Sequence, residues 1–304
     1  MSQGDTPANF HHLLTSHKWK TFVAIRAEVL KNPDAADTVA ARVWILETAR
    51  EQGWESEALS VAELISPKDV ATNPEATQLA LAVRAIGLAQ SGEVDLATSA
   101  WSQYLRSLRL RQPNAAGAMA QSVALAWQLR QQVPLADATY QQLSEAYFLN
   151  AELKEFAERR RARLKLVGQA APALAQPDLT GSPILWSELQ GRVVLLDFWA
   201  TNCRPCIEEF PQLRRRYAEF HPLGLELVGI SFDETPAEIE AFRQTQPVPW
   251  QVVLDRKTAE DAFGVTLIPC LMLIDQTGKI VATDISPADL HGALQRVLKL
   301  PVKD

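Results

Sequence analysis

The stretch RVVLLDFWATNCRPCIEEFPQ, Arg192 to Gln212, governs how the second half of this chain reads. Residues 192 to 200 form a nearly unbroken apolar run rich in Val and Leu, the mark of a central strand buried on both faces. From 204 to about 220 the pattern becomes helical. Cys203 and Cys206 stand where the strand gives way to the helix. There the first amide N–H groups have no helical partner and carry partial positive charge, so a thiolate is favoured over a thiol. Arg204 adds a full positive charge, and Pro205 fits the first turn, where a missing N–H loses nothing. Two intervening residues bring the second sulfur within one turn of the first. Cys203 therefore reads as a nucleophile and Cys206 as a resolving thiol. Two duller readings compete: half of a zinc site, or a structural pair in the core. Zinc generally takes four ligands, but no second CxxC and no paired histidines follow; the histidines are at 11, 12, 17, 221 and 291.

Around this junction strands alternate with helices, which indicates an α/β sheet. LELVGISF (225–232) reads as a strand, PAEIEAFRQTQ (236–246) as a helix and WQVVLD (250–255) as a short strand. LMLID and KIVATD flank QTG as a hairpin, and PADLHGALQRVLKL (287–300) is an amphipathic closing helix.

The first half differs. From about 8 to 166 apolar residues recur every three or four positions among Ala, Leu, Gln, Glu and Arg, which predicts helices and no strand. A weak repeat runs through it: Gly53, Ala58 and Ala62 are followed 39 residues later by Gly92, Ala97 and Trp101, then by Gln131, Ala136 and Tyr140. A small residue at the alanine position lets two helices approach, and each pair needs a neighbour to bury it. AQSGEVDLATSAWSQYL (89–105) resembles a tetratricopeptide-type helix pair, although the period exceeds the usual ~34 residues; an irregular helical bundle is the competing reading. The basic run ERRRARLKL (158–166) reads as a solvated helix face, or else a docking surface. Pro172, Pro177 and Pro183 then mark a boundary that no helix can cross. The expected organisation is a helical, tetratricopeptide-like domain over 1–166 and an α/β domain over 167–304.

With 304 residues and 47% hydrophobic content the chain can bury a core in each of two domains. A net charge of −6 without a basic stripe argues against nucleic acid or an anionic membrane as the main partner. The longest apolar runs, such as LIPCLMLI (267–274), fall far short of the ~20 residues needed to span a bilayer. The first twenty residues lack the apolar core of a secretory leader, which favours a cytoplasmic setting or a leader already removed. Three cysteines, at 203, 206 and 270, do not make a disulfide framework.

VLLDFWATNCRPC resembles the active-site segment of the thioredoxin superfamily, and IPC at 268–270 its isoleucine and cis-proline. Pro211 stands where that superfamily kinks its active-site helix. Within it, CRPCIEEFP and the segment GQAAPALAQPDLTGSPILWSELQG, which resembles the branch's leading hairpin, are most similar to TlpA/ResA-type thiol-disulfide oxidoreductases. The resemblance implies a thioredoxin fold, exchange of disulfides with protein substrates and a redox partner protein, and no cofactor or metal besides the Cys203–Cys206 pair. It assigns Asp197 as the buried acid that accepts a proton from Cys206, Glu209 as the acidic residue that tunes the cysteines, and Pro269 as the cis-proline beside the disulfide. The backbone of Ile268 would then pair with an extended substrate. It also favours a periplasmic or otherwise extracytoplasmic location. This chain departs from the family in three places: Asn202 replaces a tryptophan at the groove rim, LVGISFDE carries no lysine facing Asp197, and Cys270 replaces a common threonine. Cys270 is either a small core residue or a third sulfur near the pair.

Three functions follow. The first is a thiol-disulfide oxidoreductase whose helical domain docks its client or partner, with Asn202, Arg204, Pro205, Ile268 and Cys270 lining the substrate groove. The second is an interaction scaffold built on the helical array, with a sensory or weakly active thioredoxin-like domain. The third is a thiol peroxidase of the peroxiredoxin branch, which has a threonine three residues before its reactive cysteine where this chain has Ala200.

Overall fold

The computed structural model describes residues 7–33, 38–65, 74–108 and 111–300. Two compact units emerge: Met1–Arg159 together with Ala288–Asp304, and Arg160–Pro287. The second begins a few residues before the boundary expected at 166/167, and the closing helix clusters with the helical unit instead of the sheet unit.

The described part of the first unit is helical. It contains α1 (Pro7–Lys31), α2 (Thr38–Gln52), the short α3 (Leu59–Ala62), α4 (Pro74–Ser91), α5 (Val94–Ser107), α6 (Pro113–Leu129) and α7 (Val133–Ala146). To these are added the start of α8 (Ala151–Arg163) and the closing helix, which becomes α12 below. The repeat seen in the sequence has a backbone counterpart. Gly53, Gly92 and Gln131 all have positive φ, at 75°, 87° and 59°. The amide of the next residue reaches back across the turn each time, Trp54 to Ala49, Glu93 to Leu88 and Gln132 to Trp127, at 2.9 Å. This is the closure that ends a helix in a left-handed residue. Ala58, Ala97 and Ala136 are buried, as are Ala62, Trp101 and Tyr140 four residues on. Helices α4 and α5 pack together, as do α6 and α7, and α4 also packs on α6.

In the second unit β1 (Val193–Trp199) is central, with every residue buried. The other elements, in chain order, are α9 (Arg204–Phe220), β2 (Leu225–Ser231), α10 (Pro236–Arg243), β3 (Gln251–Leu254), α11 (Arg256–Asp261), β4 (Cys270–Ile274) and β5 (Ile280–Thr283). The closing α12 (Leu290–Val297) follows. The sheet order is β3-β2-β1-β4-β5. β2 and β3 run parallel to β1, as helical crossovers require, while β4 is antiparallel to β1 and forms a hairpin with β5. The leading hairpin expected before β1 is not a strand pair. It is a loop touching the sheet through single bridges, Ala170 to Lys279 and Asp178 to Val253. Pro172, Pro177 and Pro183 deny it the N–H groups a ladder needs.

One face of the sheet carries Val194, Leu196, Phe198, Cys270 and Met272 in a single apolar cluster. On the other face Trp199 packs on Phe210 of α9, with ring centroids 4.9 Å apart, and both meet Phe242 of α10. That aromatic contact fixes the first turns of α9 over the end of β1, which is where the cysteines lie.

Candidate active site

Cys203 is the N-cap of α9, and its Sγ accepts a hydrogen bond from the amide of Cys206 at 3.3 Å. A sulfur on the free N–H groups of a helix is the arrangement that stabilises a thiolate. Cys203 and Cys206 are joined as a disulfide, with Cα atoms 5.3 Å apart. Cys203 is half-buried and Cys206 only 1% exposed, so the first sulfur is the one a substrate can reach. Pro205 lies in the first turn and Pro211 inside the helix, where it removes the bond that the Ile207 carbonyl would accept.

Arg204 has a partner on its own helix. It is exposed and its Nε donates to Glu208 at 2.8 Å, one turn along the helix, so its charge is balanced there. Glu208 is accordingly a surface residue. Asn202 and Pro205 are also exposed.

Two acids on the elements that meet at the cysteines, Asp197 on β1 and Glu209 on α9, form no ion pair among the described residues. Asp197 is buried on β1, and its cross-strand neighbours are Gly229 on β2 and Leu271 on β4, neither of which carries charge. A side chain at 229 has no room: a Cβ there would come within 2.9 Å of Trp199 Nε1. Asp197 Oδ2 has no hydrogen-bond partner among the described residues. Burial, reinforced by the charge of Glu209, pushes the Asp197 carboxyl well above the usual range. Burial alone raises Glu209 to about 7. Glu209 can thus hold or release a proton near neutrality, and Asp197 keeps its proton to a higher pH than an ordinary carboxyl.

The antiparallel ladder of β1 and β4 ends at the pair Phe198–Cys270. Residues 200–203 therefore leave the sheet at the same end at which Ile268 and Pro269 approach it, and these two stand outside the ladder. Both are half-buried, and the peptide bond between them is cis. Cys270 is placed otherwise than a third redox sulfur requires. It is buried and shares the face of Phe198, opposite that of Asp197, since side chains alternate along a strand. Its thiol lies 3.9 Å from Asp284 Oδ1. Burial, then that carboxylate, raises it to about 12, which keeps it a thiol.

Sequence reasoning missed Asp233. Its carboxylate accepts from the Thr201 amide at 3.1 Å, the Thr201 hydroxyl at 2.6 Å and the Ser231 hydroxyl at 2.6 Å. It thereby ties the residues just before Cys203 to the end of β2. Local pattern carries no trace of this, because the partners meet only when β1 and β2 pair. Among the described residues no group of three or more His, Cys, Asp and Glu is placed to hold a metal ion.

A thioredoxin-type sheet with a disulfide at the head of its long helix defines a protein of thiol-disulfide exchange, whose redox group is the cysteine pair itself. Residues 167–283 match the AhpC/TSA family. ResA, a thiol-disulfide oxidoreductase of Bacillus subtilis (strain 168), is 36% identical over 115 residues, or 38% of this chain and 64% of its own length. ResA of Bacillus anthracis is 30% identical over 135 residues, covering 43% of this chain and 78% of its own length. The thioredoxin domain of a thiol-disulfide oxidoreductase from Bacteroides vulgatus is 28% identical, covering 43% of this chain and 96% of that one with a TM-score of 0.40. The chain belongs to the ResA family of thiol-disulfide oxidoreductases.

Proposed function

We propose that this protein exchanges disulfides with protein substrates, with Cys203 as the attacking sulfur and Cys206 as the resolving one. The observation that carries the assignment is the hydrogen bond from the Cys206 amide to Cys203 Sγ at the N-terminus of α9, with Cys206 buried behind it. In the reducing direction the Cys203 thiolate attacks one sulfur of a substrate disulfide. A mixed disulfide forms and the other substrate sulfur leaves as a thiolate. The Cys206 thiol gives its proton to Asp197, with Glu209 close enough to raise the affinity of that site for the proton. The Cys206 thiolate then attacks Cys203 Sγ, closing the disulfide and releasing the second substrate thiolate. Two electrons pass to the substrate, and a redox partner protein must return them. Run backwards, the same steps oxidise a dithiol.

Ile268, Pro269 and Asn202 form the groove wall in this reading, the first with its backbone outside the ladder and the last exposed at the rim. The repeated closures and buried alanines of the helical unit support a tetratricopeptide-like array that holds a client near the disulfide, raising its effective concentration. The family resemblance favours an extracytoplasmic setting; among the described residues no helix is long and apolar enough to cross a membrane. A peroxidase reading draws on the AhpC/TSA match, but Ala200 stands where such an enzyme needs a threonine.

The test is reduction of insulin disulfides by the wild type and by Cys203→Ser, with capture of mixed disulfides on Cys206→Ser. Turnover by the wild type, its loss in Cys203→Ser and trapped substrate on Cys206→Ser are expected. An inert wild type that traps nothing overturns the assignment.

A further inference from the structure

The basic run at the end of α8 is not wholly solvated. Arg163, its last helical residue, is only 4% exposed. Its Nε donates to Asp284 Oδ2 at 2.9 Å and its Nη2 to Asp284 Oδ1, a buried two-pronged pair. The remaining prong, Nη1, donates to the carbonyl of Gly264 at 3.1 Å. Gly264, with φ of 63°, opens the loop that runs to Ile268 and Pro269 and exposes Leu267 at 57%. The same Asp284 carboxylate faces the thiol of Cys270, the first residue after that loop. Asp284 is itself held against β4, since the next amide, Ile285, donates to Leu271 at 3.1 Å. One buried ion pair thus grips both ends of the segment 264–270, and the guanidinium comes from the last turn of α8, where the sheet unit begins.

We propose that Arg163 is a positioning residue of the substrate groove, holding the Gly264–Pro269 loop in the shape that accepts an extended protein substrate, through Asp284 on one side and the Gly264 carbonyl on the other. The proposal rests on the reading of that loop as the groove wall. It also accounts for two features that the exchange chemistry leaves unused: Cys270 in place of a threonine, as a small group that fits against the carboxylate, and the arginine at the end of the basic run of α8. Lysine cannot replace Arg163, because a single ammonium cannot reach a carboxylate and a carbonyl with three directed donors in one plane.

The experiment measures steady-state kinetics of the full chain on insulin and on a small aromatic disulfide, for wild type and Arg163→Lys, with melting curves alongside. The Lys variant is expected to raise KM for insulin about tenfold with kcat falling no more than about twofold, and to lose at least about fivefold less with the small disulfide, which needs no groove. Amide exchange at Thr266, Leu267 and Ile268 quickens in the same variant. Equal losses on both substrates, or no loss on either, overturn the proposal. Should Arg163→Lys fail to fold, the neutral pair Arg163→Gln with Asp284→Asn is measured in its place, with the same outcomes deciding. A wild type inert on both substrates instead overturns the exchange reading on which the proposal depends.

Discussion

Each unit of this protein sets a half-buried acid near a buried one, Asp289 with Glu55 and Glu209 with Asp197, and these two pairs are treated in opposite ways. In the helical unit Glu55 and Asp289 share Arg50, whose guanidinium donates to them at 2.8 and 3.3 Å. Gln90 donates to Glu55 and Ser122 to Asp289, each at 2.7 Å. In the sheet unit Asp197 and Glu209 meet no cation among the described residues, and Asp197 keeps an oxygen without a partner there. Burial raises Glu55 as it raises Asp197, but only at Glu55 does an arginine pull the other way. Acids that hold elements together are given counter-charges, because an unpaired buried carboxylate costs stability. Asp197 and Glu209 go without, and the cost of ionising them is what raises their pKa.

The contrast is tested most severely by Arg50→Met, which removes the guanidinium that Glu55 and Asp289 share. It is expected to cost about 3–5 kcal/mol in denaturant unfolding; a loss below about 1 kcal/mol would mean that the cluster does not hold α12 in place. Asp197→Asn tests the other side. It should slow resolution of the mixed disulfide by about 10²-fold, read by rapid quench, without lowering the melting temperature, since it removes an acid that has no counter-charge to lose. A fall in stability with no change in rate would make Asp197 a structural residue.

The closing helix offers a third, smaller test. A Cβ on Gly292 would lie 2.7 Å from the Cα of Gly53, and both atoms belong to backbone that cannot step aside. Gly292→Ala is therefore expected to cost about 1–3 kcal/mol, measured by thermal melting. An unchanged melt would show that α12 does not need this contact. The mildest effect concerns pH. Glu209 is raised in the folded state from an ordinary 4.5 to about 7, so the folded protein holds a proton that the unfolded chain has released. Its contribution to stability is full below 4.5 and is lost as pH rises through 7. Glu209→Gln should flatten the decline in melting temperature across that window and remove an inflection near 7 from the resolution rate; identical profiles would assign the titration to another group.

Much of the redox unit was legible in advance, because its signals are local. The apolar run of β1, the cysteine pair at the helix start and the QTG hairpin each depend on residues a few positions apart, and β1, α9 and the β4–β5 hairpin stand where the pattern placed them. The 39-residue recurrence in the helical half was legible for the same reason, since each turn is closed by its own neighbours. What the pattern misjudged were side chains whose partners are distant in sequence. Arg163 looks like any basic residue of its helix, yet it is buried on Asp284, 121 residues away. Asp233 looks like any strand-end acid until Thr201 meets it.

Which elements form, where the reactive sulfurs sit on them and which family they resemble were all settled by the order of residues, because periodicity, helix-end chemistry and motif spacing are properties of short segments. Which charges distant in sequence are paired was settled by the fold alone. Folding left Asp197 between a glycine and a leucine, turned Cys270 away from the disulfide face, and set Arg163 across the ends of the Gly264–Pro269 loop. The physical reason is that a charge takes its meaning from what surrounds it within a few ångströms, and in a folded chain those surroundings come from residues far away in sequence.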